Sequence, residues 1–138
     1  MDAERLLTTQ RVARLATVSA DGKPHIVPAV YAYDGKHVYI SLDEKRKRVA
    51  PMQLKRTQNI ATNPHVSLLV DRYGEDWRKL EWIRVDGVAR ILQRGKTHDK
   101  AVALLRAKYP QYRNMKLETR PVIEITVKAV VEWEARRD

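Results

Sequence analysis

The sequence predicts a mainly β fold: an antiparallel barrel of six strands with about three inserted helices. Two observations lead there. Short apolar–polar alternations follow one another with tight-turn residues between them, as in Ala20-Asp21-Gly22-Lys23 and Asp34-Gly35-Lys36. Strands do not alternate regularly with crossover helices, which argues against a parallel, doubly wound sheet. With 138 residues and 43% hydrophobic side chains, the chain is expected to form a single domain, 1–138, around one real core.

Asp2–Gln10 reads as a short helix with Asp2 and Glu4 near its positive end. In Arg11–Ser19, Val12, Arg14, Ala16 and Val18 alternate with Ala13, Leu15 and Thr17, which is the period of a strand. The Asp21-Gly22 pair turns the chain into a second strand, His25–Tyr33. Pro28 within it cannot donate to a ladder, so it marks an edge, a bulge, or a place where something other than a strand meets the backbone. His37–Leu42 returns as a third strand. Ala50–Thr62 reads as a helix ended by Asn63-Pro64, because the residue before a proline is disfavoured in helical conformation.

His65–Asp71 is a strand with Val66, Leu68 and Val70 on one face, and Arg72–Lys79 is a polar loop carrying Trp77. Leu80–Leu92 is a long strand in which Gly87 signals a bulge or a sharp bend. His98, Ala101, Val102, Leu105 and Tyr109 recur at helical spacing over Thr97–Tyr109, and Pro110 stops that helix. Pro121–Trp133 closes the chain as the sixth strand.

Composition excludes several chemistries. There are no cysteines, hence no disulfide, thiolate metal site or cysteine nucleophile. The four histidines are scattered without ligand spacing, so no metal is expected. No glycine-rich phosphate loop, serine elbow or His-Glu-x-x-His helix occurs. No apolar run is long enough to cross a bilayer, and Met1–Gln10 lacks the shape of a signal peptide, so no membrane partner and a cytoplasmic location are expected. A net charge of +10 asks for an anionic partner. From Glu44 to Arg56 it concentrates in Lys45, Arg46, Lys47, Arg48, Lys55 and Arg56 against one acid. Nucleic acid is one such partner, but the aromatics do not interleave with basic residues on a strand face as stacking platforms require. A basic groove without its own catalytic constellation suits a phosphorylated cofactor, and no catalytic side chain stands out.

The run Arg14-Leu-Ala-Thr-Val-Ser-Ala-Asp-Gly-Lys-Pro-His25, then Ile26-Val-Pro28, then Val38-Tyr-Ile-Ser41-Leu-Asp43, resembles the opening of the pyridoxamine-phosphate-oxidase-like flavoproteins. Leu54-Lys-Arg-Thr-Gln-Asn59-Ile, Asn63-Pro-His-Val-Ser-Leu-Leu-Val-Asp71 and Tyr73-Gly-Glu-Asp-Trp77 through Gly87 are similar to a branch described as coenzyme F420-dependent enzymes. The resemblance implies a split β-barrel that works as a homodimer. It also implies an oxidoreductase that moves a hydride between deazaflavin F420 and a small conjugated acceptor, with FMN as the alternative cofactor. A carrier without turnover, or a haem or tetrapyrrole binder, stays open.

Both coenzymes carry phosphate, which needs cations and backbone donors at a helix start. Lys55 and Arg56, near the start of the middle helix, are assigned to it, with Thr57 or Asn59 as further donors and Lys45 and Lys47 for a longer acidic tail. In relatives the ring lies along the second and third strands. By position that implicates His25, Val27, Pro28, Ala29 and Val30 on one strand and Ile40, Ser41 and Asp43 on the other. The partner subunit builds part of the cleft in such proteins, which makes Trp77 and Arg84 candidates to reach across. Trp82 is expected as core filler.

Overall fold

The computed structural model describes residues 2–42 and 50–135. Helix α1 (Ala3–Thr9) is capped by Asp2, whose carboxylate accepts from the Arg5 amide at 3.0 Å. Strands β1 (Ala13–Val18), β2 (Pro24–Ala29), β3 (Ala32–Tyr33) and β4 (His37–Ser41) follow. A 3₁₀ turn, Pro51–Gln53, then leads into α2 (Lys55–Thr62), β5 (His65–Arg72), β6 (Glu81–Leu92), α3 (Lys96–Lys108) and β7 (Val122–Glu134). All seven strands join one curled antiparallel sheet in the order β2-β1-β5-β6-β7-β4-β3. Gly22 and Gly35 adopt φ of +84° and +100°, which most residues resist, and close the two tight turns read from the sequence.

The alternation decides what is buried. Leu15 pairs with Val27 on one side and Leu68 on the other, and Leu68 faces Val85; Leu15, Leu68 and Val85 are fully buried. Leu6 and Leu7 of α1, Ile60 of α2, and Val38 and Ile40 of β4 close the same core. Each such side chain contributes roughly 1.5–3 kcal/mol by leaving water. The bulge expected at Gly87 is present: the β6–β7 register slips between Asp86 and Gly87, leaving Lys128 as the extra residue on β7.

Among the described residues seven strands occur where six were expected, because the run His25–Tyr33 breaks at Val30 and Tyr31. The Tyr109 hydroxyl takes over the backbone bonding there, accepting from the Tyr31 amide at 3.1 Å and donating to Arg11 O at 2.9 Å or Tyr31 O at 3.0 Å. The chain thereby passes from one edge of the sheet, β2, to the other, β3, so the run spans the seam of the barrel. The middle helix is shorter than expected: Ala50–Leu54 lies outside it, and α2 begins at Lys55. Trp82 is not core filler. It stands half-exposed opposite Trp133 and stacks on it, with centroids 6.4 Å apart.

Asp34 ties α3 to the β3–β4 turn, accepting from Lys100 Nζ at 2.7 Å, the His37 amide at 2.7 Å and the Tyr39 hydroxyl at 3.1 Å. Burial works to raise its carboxyl, but these donors outweigh burial and hold it well below the usual carboxylate range. At the other end of α3, Lys108 Nζ lies 3.8 Å from the Tyr31 ring centroid and 5.4 Å from that of Tyr109, with no hydrogen-bond partner. Burial, then the nearby Arg11 charge, push its amine down to about 8, although the ring faces favour the charged form.

The sign follows from proton counting. Between pH 8 and 10 the unfolded chain keeps the Lys108 proton and the native chain loses it, so stability rises with pH across that window. Above it, the raised hydroxyls of Tyr31 and Tyr109 reverse the trend. Urea midpoints measured through the window should show a gain of roughly 1 kcal/mol, after allowing for solvent screening of a half-exposed group. In Lys108→Met the slope should vanish and stability at pH 7 should not fall.

Candidate functional site

Strand β2 lies at one edge of the sheet and β4 one strand from the other, yet both line one cavity of about 420 Å³. Curling of the sheet brings them together. His25, Val27, Pro28, Ala29 and the following Val30 form one wall, and Ile40 and Ser41 of β4 form part of the other. Leu54, Lys55 and Arg56 stand at the mouth, where α2 begins.

The β2 wall has a distinctive backbone. Pro24, Ile26 and Pro28 pair with Val18, Ala16 and Arg14. Prolines cannot donate, so these are the pairs without ladder bonds, and their backbone groups point to the free edge. The Ser19 amide donating to Lys23 O at 3.0 Å fixes the same phase. Pro28 thus sits on an edge strand and lines the cavity.

At the mouth, the first turn of α2 has no side-chain cap and no acidic residue, so its N–H groups and positive dipole end reinforce Lys55 and Arg56. The β1–β2 turn is near. Asp21 is held below the ordinary carboxylate value chiefly by the Ser19 hydroxyl, with its own backbone amide, the charge of Lys55 and a hydrogen bond from Lys23 adding to it against burial. Within the cavity, His25 Nδ1 and Ser41 Oγ are buried without hydrogen-bond partners among the described residues. Buried polar atoms are normally satisfied, so two such atoms in one recess fit a ligand that brings its own donors and acceptors. Apolar walls, two uncommitted polar atoms and a cationic, uncapped mouth together fit a planar heterocycle with a phosphorylated tail.

The structure brings together His25, Val27, Pro28, Ala29, Val30, Ile40, Ser41, Lys55 and Arg56 of the expected set. It gives Thr57 and Asn59 other work. Both are almost fully buried; Thr57 Oγ1 donates to Pro51 O at 2.9 Å and Asn59 Nδ2 to Thr17 Oγ1 at 3.0 Å. Trp77 is 76% exposed on the β5–β6 connection, and Arg84 pairs with Asp86 at 3.0 Å; neither lines this cavity. Asp43, Lys45 and Lys47 lie outside the described residues. Leu54, missed in the sequence, lines the mouth as the residue preceding the helix. Its signal was an apolar side chain set between polar neighbours, Gln53 and Lys55.

Among the described residues, no group of three or more His, Asp or Glu is placed to hold a metal ion, and no helix is long and apolar enough to cross a membrane.

No curated protein sequence matches the chain. Solved structures do. An FAD-binding protein of Mesorhizobium loti shares 27% identity over 96% of this chain and 94% of that one, with a TM-score of 0.69. The haem storage protein HutZ of Vibrio cholerae shares 13% identity over 98% and 95%, with a TM-score of 0.73. A protein described as an F420 reductase shares 20% identity over 95% and 98%, with a TM-score of 0.69. The last two establish the fold alone, a split barrel. The family described as pyridoxamine 5'-phosphate oxidase matches residues 2–134, nearly the whole chain, and the protein belongs to that family.

Proposed function

We propose that this protein is an oxidoreductase that holds coenzyme F420, with FMN as the alternative, in the cavity between β2 and β4. It works on a small conjugated acceptor. The observation that carries the proposal is the union of a cationic helix start with an apolar recess holding two unpartnered polar atoms. When bound, either coenzyme supplies a ring that takes up or gives up a hydride. The chain contributes placement. Lys55, Arg56 and the first N–H groups of α2 hold the phosphate at the mouth. Val27, Ala29 and Ile40 provide a dry surface that fixes the plane of the ring and keeps water from it.

The same proposal includes a second copy of the chain. On the outer face of the sheet, Ile26 is 65% exposed, and Val131 and Trp133 are exposed too. Across the β1, β5 and β6 registers this face also carries the Arg14–Asp71 and Arg84–Asp86 ion pairs. Apolar surface interspersed with paired charges suits a homodimer. Trp77 and Arg84, which do not line their own cavity, are assigned to the partner's.

His25 on the cavity wall favours one second reading, haem, since imidazole is a haem ligand. One experiment separates the readings. Protein sized in parallel is titrated with F420, FMN and haem, followed by fluorescence and by the haem absorption band. Saturable binding of F420 or FMN at micromolar concentration to a dimer is the expected result. Haem binding alone would replace the proposal with the second reading, and a strict monomer would leave Trp77 and Arg84 without a role.

A further inference from the structure

Resting on the reading of the cavity as a flavin-type site, we infer that Tyr109, at the end of α3, is a positioning residue for the coenzyme. It sets the one part of the cavity wall that no strand holds. The wall follows β2 to Ala29, the last residue paired with β1, and continues into Val30, where the chain starts its crossing to β3. Among the described residues neither Val30 nor Tyr31 has a partner in the sheet. Val30 touches two bodies: it lines the cavity, and it packs against the satellite core that Leu105, Tyr109 and Tyr112 form behind it. Tyr31, fully buried, is the fixed point of the crossing. Its amide donates to the Tyr109 hydroxyl at 3.1 Å, its own hydroxyl donates to Leu7 O at 2.6 Å, and the Lys108 amine lies 3.8 Å from its ring centroid. Tyr109 is held in turn from the surface. Arg11 donates to the Lys108 carbonyl at 2.6 Å, and its guanidinium carbon lies 4.6 Å from the Tyr109 ring centroid.

The hydroxyl thus does for the crossing what a neighbouring strand does for the rest of the wall. Without it the buried Tyr31 amide has no acceptor, which is costly, and the crossing relaxes towards one. Val30 moves with its neighbour and gives up its contact with the ring. Val27, Ala29 and Ile40 stay in place, so binding weakens without being lost. Lys55 and Arg56 at the mouth share no contact with this anchor, so a ligand with a phosphate and one without it lose affinity by the same factor.

The test is a double-mutant cycle, read by fluorescence titration of riboflavin, its deazaflavin counterpart and FMN against the full chain. Tyr109→Phe should weaken riboflavin and FMN alike, about fivefold. Val30→Ala should weaken them to a similar degree. Adding Tyr109→Phe to Val30→Ala should cost less than about twofold more, because the hydroxyl acts through a side chain already removed. Tyr112→Phe, in the same satellite core, is the control for a merely structural effect and should leave binding unchanged. If Tyr109→Phe does not fold, Arg11→Met, an exposed position that backs the Tyr109 ring, replaces it in the cycle with an expected loss of about threefold. Unchanged affinity in Tyr109→Phe, an equal loss in Tyr112→Phe, or losses that multiply in the double variant would overturn the inference while leaving the flavin-type reading intact. Failure of folded wild-type protein to bind any flavin or deazaflavin would overturn that reading and the inference with it.

Discussion

Replacing Lys55 and Arg56 together by alanine is expected to lower FMN affinity by roughly a hundredfold, while riboflavin binds as it does to the wild type. Hydrogen bonds to charged groups contribute about 1.5–3 kcal/mol each, and tenfold in affinity is about 1.4 kcal/mol. Two partly solvated cations thus justify about two decades, with the uncapped α2 amides retaining the residual binding. Because Lys55 is exposed and Arg56 half-exposed, thermal unfolding should shift little. The contrast between the two ligands is the informative quantity: only FMN carries the phosphate. Equal losses for both would point to a collapsed cavity, and no loss for FMN would remove the anion clamp.

Gly87→Ala should produce the largest loss of stability. A Cβ there would lie 2.5 Å from the Thr126 carbonyl oxygen and 2.6 Å from Ile125 Cγ2. A flexible side chain can move aside, but a carbonyl fixed in the β6–β7 ladder cannot move without opening the bulge. A penalty of about 3 kcal/mol follows from overpacking of this kind. That corresponds to a drop in Tm of roughly 10 °C for a domain of this size. Gly74→Ala is the control, since nothing lies within 4 Å of its Cβ position and its φ is not positive. Similar melting of the two variants would show that the β6–β7 packing is looser than described.

Much of the barrel was legible because its strands are half-buried, so each alternation announces its own inward face, and Asp21-Gly22 and Asp34-Gly35 mark turns locally. The residues that line the cavity were named through the family resemblance and not through alternation, which shows an inward face but not that two distant strands share one recess. What escaped depends on partners distant in sequence. The break at Tyr31 needs Tyr109, 78 residues away. Asn59 turns inward because Thr17 waits there, 42 residues earlier, and Thr57 because the chain folds back at Pro51. Trp82 looked like core because single-strand periodicity does not reveal that Trp133 covers it from the neighbouring strand. The middle helix was drawn too long because a 3₁₀ turn and a helix share apolar spacing, while only the later segment provides the amides that face the mouth.

The proline-studded rim of β2 has a bearing on crowding. An open sheet border is a template onto which a stray strand can zip, the first step towards fibrous association. Here two of every three would-be docking amides along the border are missing, so a foreign strand finds too few bonds to register. The barrel can leave its seam ajar for a small guest without inviting a polymer.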